Sequence, residues 1–201
     1  MMTEASPSHD TREHILAVAE PMILGRGFTA VGLTELLTAA GVPKGAFYHY
    51  FRSKEHFGEA LLERYFAGYA SRMETLFADG VPGPMRDRLL AYFASWLHSA
   101  CDIENHGSCL AVKLSGEVCD LSEPMREALA HGMSQVVGKL SAAIAAAVAD
   151  GSTTAGDDCD ALAEALYSMW LGAALRTKVL RDPAPLQRAL DETRRRLPQP
   201  D

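Results

Sequence analysis

Four cysteines, Cys101, Cys109, Cys119 and Cys159, carry the nucleophilic chemistry of this chain, and their neighbours tell them apart. A thiolate is favoured by positive charge and by a helix N-terminus, and disfavoured beside carboxylates. Cys101 is followed by Asp102 and Glu104, Cys119 sits between Glu117 and Asp120, and Cys159 lies directly between Asp158 and Asp160. Cys109 differs. It follows Gly107 and Ser108 at the expected start of a helix, and Lys113 lies four residues on, a spacing that shares a helix face. Its surroundings favour reaction with an electrophile or oxidant; the competing reading, a small buried apolar side chain, stands beside it. The cysteine spacings fit no zinc site, and His98, His106 and His131 fall on separate segments, so neither metal nor cofactor is expected. Cys109 with His106 three residues earlier is thin ground for a thiol enzyme, and no enzyme is expected.

A second constellation suits anions. Residues 42–54 contain no acid, yet hold Lys44, Arg52, Lys54 and the titratable His49. Two short apolar-periodic segments, 33–40 and 44–50, flank Gly41, Val42 and Pro43. Gly41 suits the left-handed turn that ends a helix, and Pro43 has the fixed φ that starts another. This is helix-turn-helix spacing, in which the second helix enters a DNA major groove. Lys44, at the turn, reaches for a base edge or phosphate, and the small Gly45 and Ala46 permit close approach. Tyr48 and His49 are placed to donate to phosphate oxygens. Lys54 opens the next helix, where backbone N–H groups also attract anions, and Thr34 plays a similar part at the start of the preceding one. Phe47 and Phe51 read as core.

The elements that must position these residues are helical throughout. Ile15, Val18, Ala19, Met22 and Ile23 recur at helical spacing after a start at Asp10 or Thr11, with Phe28 as a plug between the first three helices. Thr34 or Thr29 is the expected cap of the second helix, and Ser53 caps a long fourth helix running through Phe57, Tyr65, Tyr69 and Leu76. A break at 80–84 precedes a helix carrying Leu89, Tyr92, Phe93 and Trp96; a polar loop is expected at 102–108 and a sixth helix at 108–118. Ser122 starts the seventh helix, which reaches Val148. Residues 150–160 read as a surface loop, and the last two helices fall at about 159–181 and 184–196. Strand signals are absent, so the expected class is all-α.

At 201 residues, 48% of them hydrophobic, the chain has material for a real core, which argues against disorder. The net charge of −7 argues against indiscriminate coating of nucleic acid and is compatible with a small basic reading head on an acidic body. No uninterrupted apolar run reaches the roughly 20 residues of a membrane span, and residues 1–10 lack the pattern of a signal peptide, so a cytoplasmic, non-membrane protein with reduced thiols is expected.

The stretch starting at Gly41, Gly-Val-Pro-Lys-Gly-Ala-Phe-Tyr-His-Tyr-Phe-Arg-Ser-Lys-Glu, resembles the N-terminal DNA-binding domain of the TetR family of repressors, over about residues 10–60. The resemblance implies a DNA-binding domain at 10–58, with its recognition motif at about 33–52, and a helical body at 59–197 that senses an inducer and dimerises through its last two helices. Residues 108–122, Ser-Cys-Leu-Ala-Val-Lys-Leu-Ser-Gly-Glu-Val-Cys-Asp-Leu-Ser, look like the N-ethylmaleimide-responsive, electrophile-sensing branch, as do 10–14, 42–57 and 170–178. In that branch a cysteine matching Cys109 responds to quinones, aldehydes and reactive chlorine species, and a lysine matching Lys178 is implicated beside it. The implied protein is a homodimeric repressor on a palindromic operator, released when Cys109, with Lys178 and Lys113 in attendance, is modified. An alternative keeps the DNA binding but gives the body a pocket for a reversible hydrophobic ligand, lined by Tyr92, Phe93, Trp96, Met133 and Trp170. A remote third reading is the thiol-dependent enzyme.

Overall fold

Each apolar-periodic stretch buries its stripe against its neighbours as a helix. The computed structural model describes residues 7–101, 109–156 and 158–200. Among these there are nine α-helices and no strand: α1 (Pro7–Arg26), α2 (Leu33–Ala40), α3 (Lys44–Tyr50), α4 (Lys54–Phe77), α5 (Met85–Cys101), α6 (Leu110–Val118), α7 (Glu123–Ala149), α8 (Cys159–Leu180) and α9 (Ala184–Arg196). The expected loop at 102–108, His106 within it, and the side chain of Cys101 lie outside the described residues.

Helix α1 to α3 form the N-terminal head, tied to α4 by Arg64, which pairs with both Glu13 and Glu20 of α1. Helix α4 continues into the body, where it runs beside α7, the hub against which α5, α6 and α8 also pack. At 27 residues and a best-window mean hydropathy of 1.3, α7 is by those measures long and apolar enough to cross a membrane, although the uninterrupted apolar runs of the sequence are shorter. Its buried residues, from Met125 through Leu140 and Ile144 to Ala147, are instead spent on the protein core.

The α4–α7 seam is close because two positions lack side chains. A Cβ added to Gly132 would stand 2.1 Å from the Phe66 ring, and one added to Gly58 would stand 2.5 Å from Met125 Sδ and 2.7 Å from the Phe28 ring. Head, long helix and hub therefore meet at Phe28, Gly58 and Met125.

Several helix starts differ from the sequence reading. Among the described residues α1 already runs from Pro7, so Asp10 and Thr11 lie inside it rather than at its start. Gly32 occupies the N-cap of α2 without a side-chain bond, so neither Thr29 nor Thr34 caps it. The caps at Ser53 and Ser122 are formed, accepting from His56 N–H and Met125 N–H. Helix α6 starts at Leu110, which makes Cys109 its N-cap. The connection after α7 is only partly a surface loop: Thr153 is buried, and Thr153 Oγ1 and Thr154 N–H both donate to the Pro198 carbonyl.

Gly132→Ala is expected to lose about 1–3 kcal/mol of stability by forcing α4 and α7 apart. A lowered urea midpoint at unchanged helix content checks this; an unchanged midpoint would show that Phe66 gives way freely.

Candidate functional site

In the head, Gly41 takes φ 65° and ψ 27°, and its N–H and that of Val42 close α2 onto Leu37 and Thr38 carbonyls. Pro43 then caps α3 in extended conformation. Phe47 and Phe51 are fully buried and form a triangle with Phe57 of α4, at ring separations of 5.1, 5.5 and 5.2 Å. This aromatic wedge fixes the roll of α3. Residues 44, 45, 48 and 49 share the opposite side and are exposed, Tyr48 by 49%, while Ala46 is half-buried at the edge. The Lys44 ammonium lies 5.8 Å from the Tyr48 ring centroid. Lys54, first residue of α4, is half-buried with its ammonium 4.9 Å from the Phe28 ring centroid, which pins a cation beside free N–H groups. Thr34 is exposed in the first turn of α2. All seven candidate DNA-contacting residues thus reach the surface of the head.

In the body, Cys109 is half-buried, and its Sγ lies 3.2 Å from the Tyr65 hydroxyl of α4. Burial, and then the neighbouring Cys109, push the Tyr65 phenol well above its ordinary range. Tyr69 and Tyr92, whose hydroxyls meet at 2.5 Å, and Tyr167 are likewise raised, in each case chiefly by burial. A phenol held neutral can donate a hydrogen bond to a sulfur acceptor. Lys113, one turn into α6, lies near Lys178 in the last turn of α8; burial, then this second cation, lower the Lys178 amine from its ordinary value. An amine so lowered is more often an available lone pair. The neighbour described for Lys178 is thus Lys113, and that for the sulfur is Tyr65; Cys109 and Lys113 stand at the N-cap and in the first turn of α6, and Lys178 on α8.

The proposed pocket aromatics pack on one another. Phe93 stacks on Trp170 at 5.0 Å, Trp96 meets Trp170 edge-on at 5.8 Å, and the Trp170 indole N–H donates to Thr193 Oγ1 of α9 at 2.9 Å. Tyr92 is buried beside them, and Met133 is half-buried on α7. A groove of about 460 Å³ between α4 and α7, lined by Glu63, Phe66 and His131 among others, includes none of these five residues.

Two family descriptions match: bacterial regulatory proteins of the tetR family over residues 15–61, and the tetracyclin repressor-like C-terminal domain over residues 79–193. The HTH-type transcriptional repressor NemR of Escherichia coli K12 is 49% identical over 182 residues, 90% of this chain and 91% of that protein. The chain belongs to the TetR family. Within it, the crystal structure of reduced Escherichia coli NemR superposes with a TM-score of 0.90 at 46% identity, covering 96% of this chain and 99% of that one. The transcriptional regulator AcuR of Cereibacter sphaeroides is 38% identical over 165 residues, 80% of this chain and 73% of that protein.

Set on this TetR-family frame, the residue missed by sequence reasoning is Tyr65. Its spacing to Tyr69 marks one face of α4, but that face reads simply as apolar, and Tyr65 is 44 residues from Cys109 in sequence. Tyr65→Phe removes the donor at the sulfur and little else. Alkylation of Cys109 by N-ethylmaleimide is expected to slow roughly tenfold or more, the factor carried by one hydrogen bond to a charged group worth about 1.5–3 kcal/mol. Time-resolved mass spectrometry reads the rate, and a wild-type rate would remove Tyr65 from the sensor.

Proposed function

We propose that this TetR-family chain is a transcriptional repressor, closest in character to the electrophile-responsive branch, that leaves its operator when Cys109 is modified. The observation that carries the sensing half is the position of Cys109: the N-cap residue of α6, its sulfur 3.2 Å from the Tyr65 hydroxyl, with Lys113 one turn along and Lys178 near that lysine. The relatives named above are transcriptional regulators, which favours a regulator over a thiol enzyme. The mutual packing of Phe93, Trp96 and Trp170 favours the thiol over a reversible hydrophobic ligand.

Residues 10–58 act as the reading head and 59–197 as the sensing and dimerising body, working in the cytoplasm. The dimer forms through α8 and α9. Leu175, Val179 and Leu180 of α8 are 51%, 73% and 56% exposed, a patch that a second copy would cover. Two heads then face successive major grooves of a palindromic duplex. Thr34, Lys44, Gly45, Ala46, Tyr48, His49 and Lys54 meet the DNA, the lysines and Tyr48 chiefly through phosphate.

With a maleimide or quinone, the Cys109 thiolate adds to the electron-poor alkene; a carbon–sulfur bond forms and the resulting carbanion takes a proton from water. With hypochlorous acid, the thiolate takes up chlorine and releases hydroxide. A lysine amine, Lys178 in this branch, then displaces chloride from sulfur and loses a proton, leaving a sulfur–nitrogen bond that a thiol reductant reverses. Either product enlarges or reorients the first turn of α6.

Two outcomes follow. Cys109→Ser is expected to stay on its operator after N-ethylmaleimide treatment that releases the wild type in a gel shift; equal release would put the sensor elsewhere. Lys54→Ala is expected to weaken binding across duplex sequences and to reduce the slope of log affinity against log salt by roughly 1, the loss of one phosphate contact. An unchanged slope would take Lys54 off the DNA.

A further inference from the structure

We propose that Glu117 is the residue through which a change at Cys109 reaches the reading head, a proposal that rests on the thiol-release reading above. Glu117 stands eight residues beyond Cys109, near the far end of α6. Its carboxylate leaves the body and accepts three hydrogen bonds from the connection between α1 and α2. The donors are Phe28 N–H at 3.1 Å, Thr29 N–H at 2.7 Å and the Thr29 hydroxyl at 2.5 Å.

The connection is shaped to receive this group. Gly27 adopts φ 99°, and a Cβ there would stand 2.7 Å from Glu117 Oε2, so the carboxylate sits where a side chain at 27 would otherwise be. Burial opposes the charge on Glu117, yet the Thr29 and Phe28 donors, with Lys113 nearby, outweigh it and keep the carboxyl below its ordinary value. Lys113, one turn before Glu117 on the same helix, is thus close enough to act on both the Glu117 carboxylate and the Lys178 amine.

Beyond the latch the contacts continue to the DNA face. The Phe28 backbone donates to Glu117 while its ring carries the Lys54 ammonium. Helix α6 is nine residues long and short enough to move as one piece. An adduct on Cys109 cannot occupy the 3.2 Å gap to Tyr65, so the start of α6 must shift, and Glu117 shifts with it. Phe28 and Thr29 then lose their acceptor, and the seat of Lys54 and the entry to α2 are freed. Glu117 is a positioning residue: it touches neither the electrophile nor the DNA.

The test is a double-mutant cycle with Glu117→Ala and Thr29→Val on the full chain. The duplex is one selected by the wild type from a random-sequence library. Its Kd is measured before and after stoichiometric N-ethylmaleimide treatment, with the Cys109 adduct timed by mass spectrometry and folding checked by thermal melting. Wild type is expected to lose affinity roughly tenfold or more on alkylation, and Glu117→Ala less than about threefold, with the rate of adduct formation unchanged. Thr29→Val, which keeps both amide donors, falls between, and the double variant shows no further loss of response. A wild-type response in Glu117→Ala overturns the latch. No response in the wild type overturns the thiol-release reading itself.

Discussion

The close approach of α4 and α7 is the constraint on which the rest of the molecule rests. Without side chains at Gly58 and Gly132, the long helix lies directly on the hub, and one rod then serves two ends. Phe57 completes the aromatic wedge that sets α3, and Tyr65, eight residues or about 12 Å along the same helix, meets the Cys109 sulfur. Helix α6 repeats that span on the other side, with Cys109 at one end and Glu117 at the other. Two stiff elements thus connect the same two places. A rearrangement at the thiol has little freedom to dissipate, because close-packed seams adopt discrete arrangements rather than deforming smoothly.

Charge is divided along the same lines. The chain carries a net −7, while residues 42–54 contain no acid, so the body repels DNA and the head attracts it. Three arginines near the head are committed to structure. Arg64 holds two α1 carboxylates, Arg26 pairs with Glu35, and Arg12 lies over the Phe51 ring. Lys44 and Lys54 rest on aromatic rings with their ammonium groups at the surface side of the fold, oriented yet available for phosphate.

The all-helical fold was legible because every helix buries a stripe whose period shows in the sequence, and because Ser53 and Ser122 are caps with local partners. The turn at Gly41 was legible for the same reason. The start of α2 failed because its cap is backbone only, at Gly32, and Asp10 and Thr11 lie inside α1 rather than ahead of it. Cys109 stood out from its neighbours in sequence, but Tyr65 and Lys178 come to it and to Lys113 through tertiary contacts that no spacing encodes. Glu117 reads locally as an acid beside Cys119; its partners lie 88 and 89 residues away, so its role became visible only with the head and body together. Thr153 likewise read as loop, since the Pro198 carbonyl that satisfies it is 45 residues distant.

The link between thiol and head is tested most directly by residue-resolved amide exchange at Phe28 and Thr29 in the DNA-free wild type. In the reduced protein both N–H groups are bonded to the Glu117 carboxylate, so slow exchange is expected. Alkylation confined to Cys109 should accelerate both amides while leaving those inside α7 unchanged. Equal protection at Phe28 and Thr29 before and after alkylation would contradict a mechanical connection between the sulfur and the DNA-reading head.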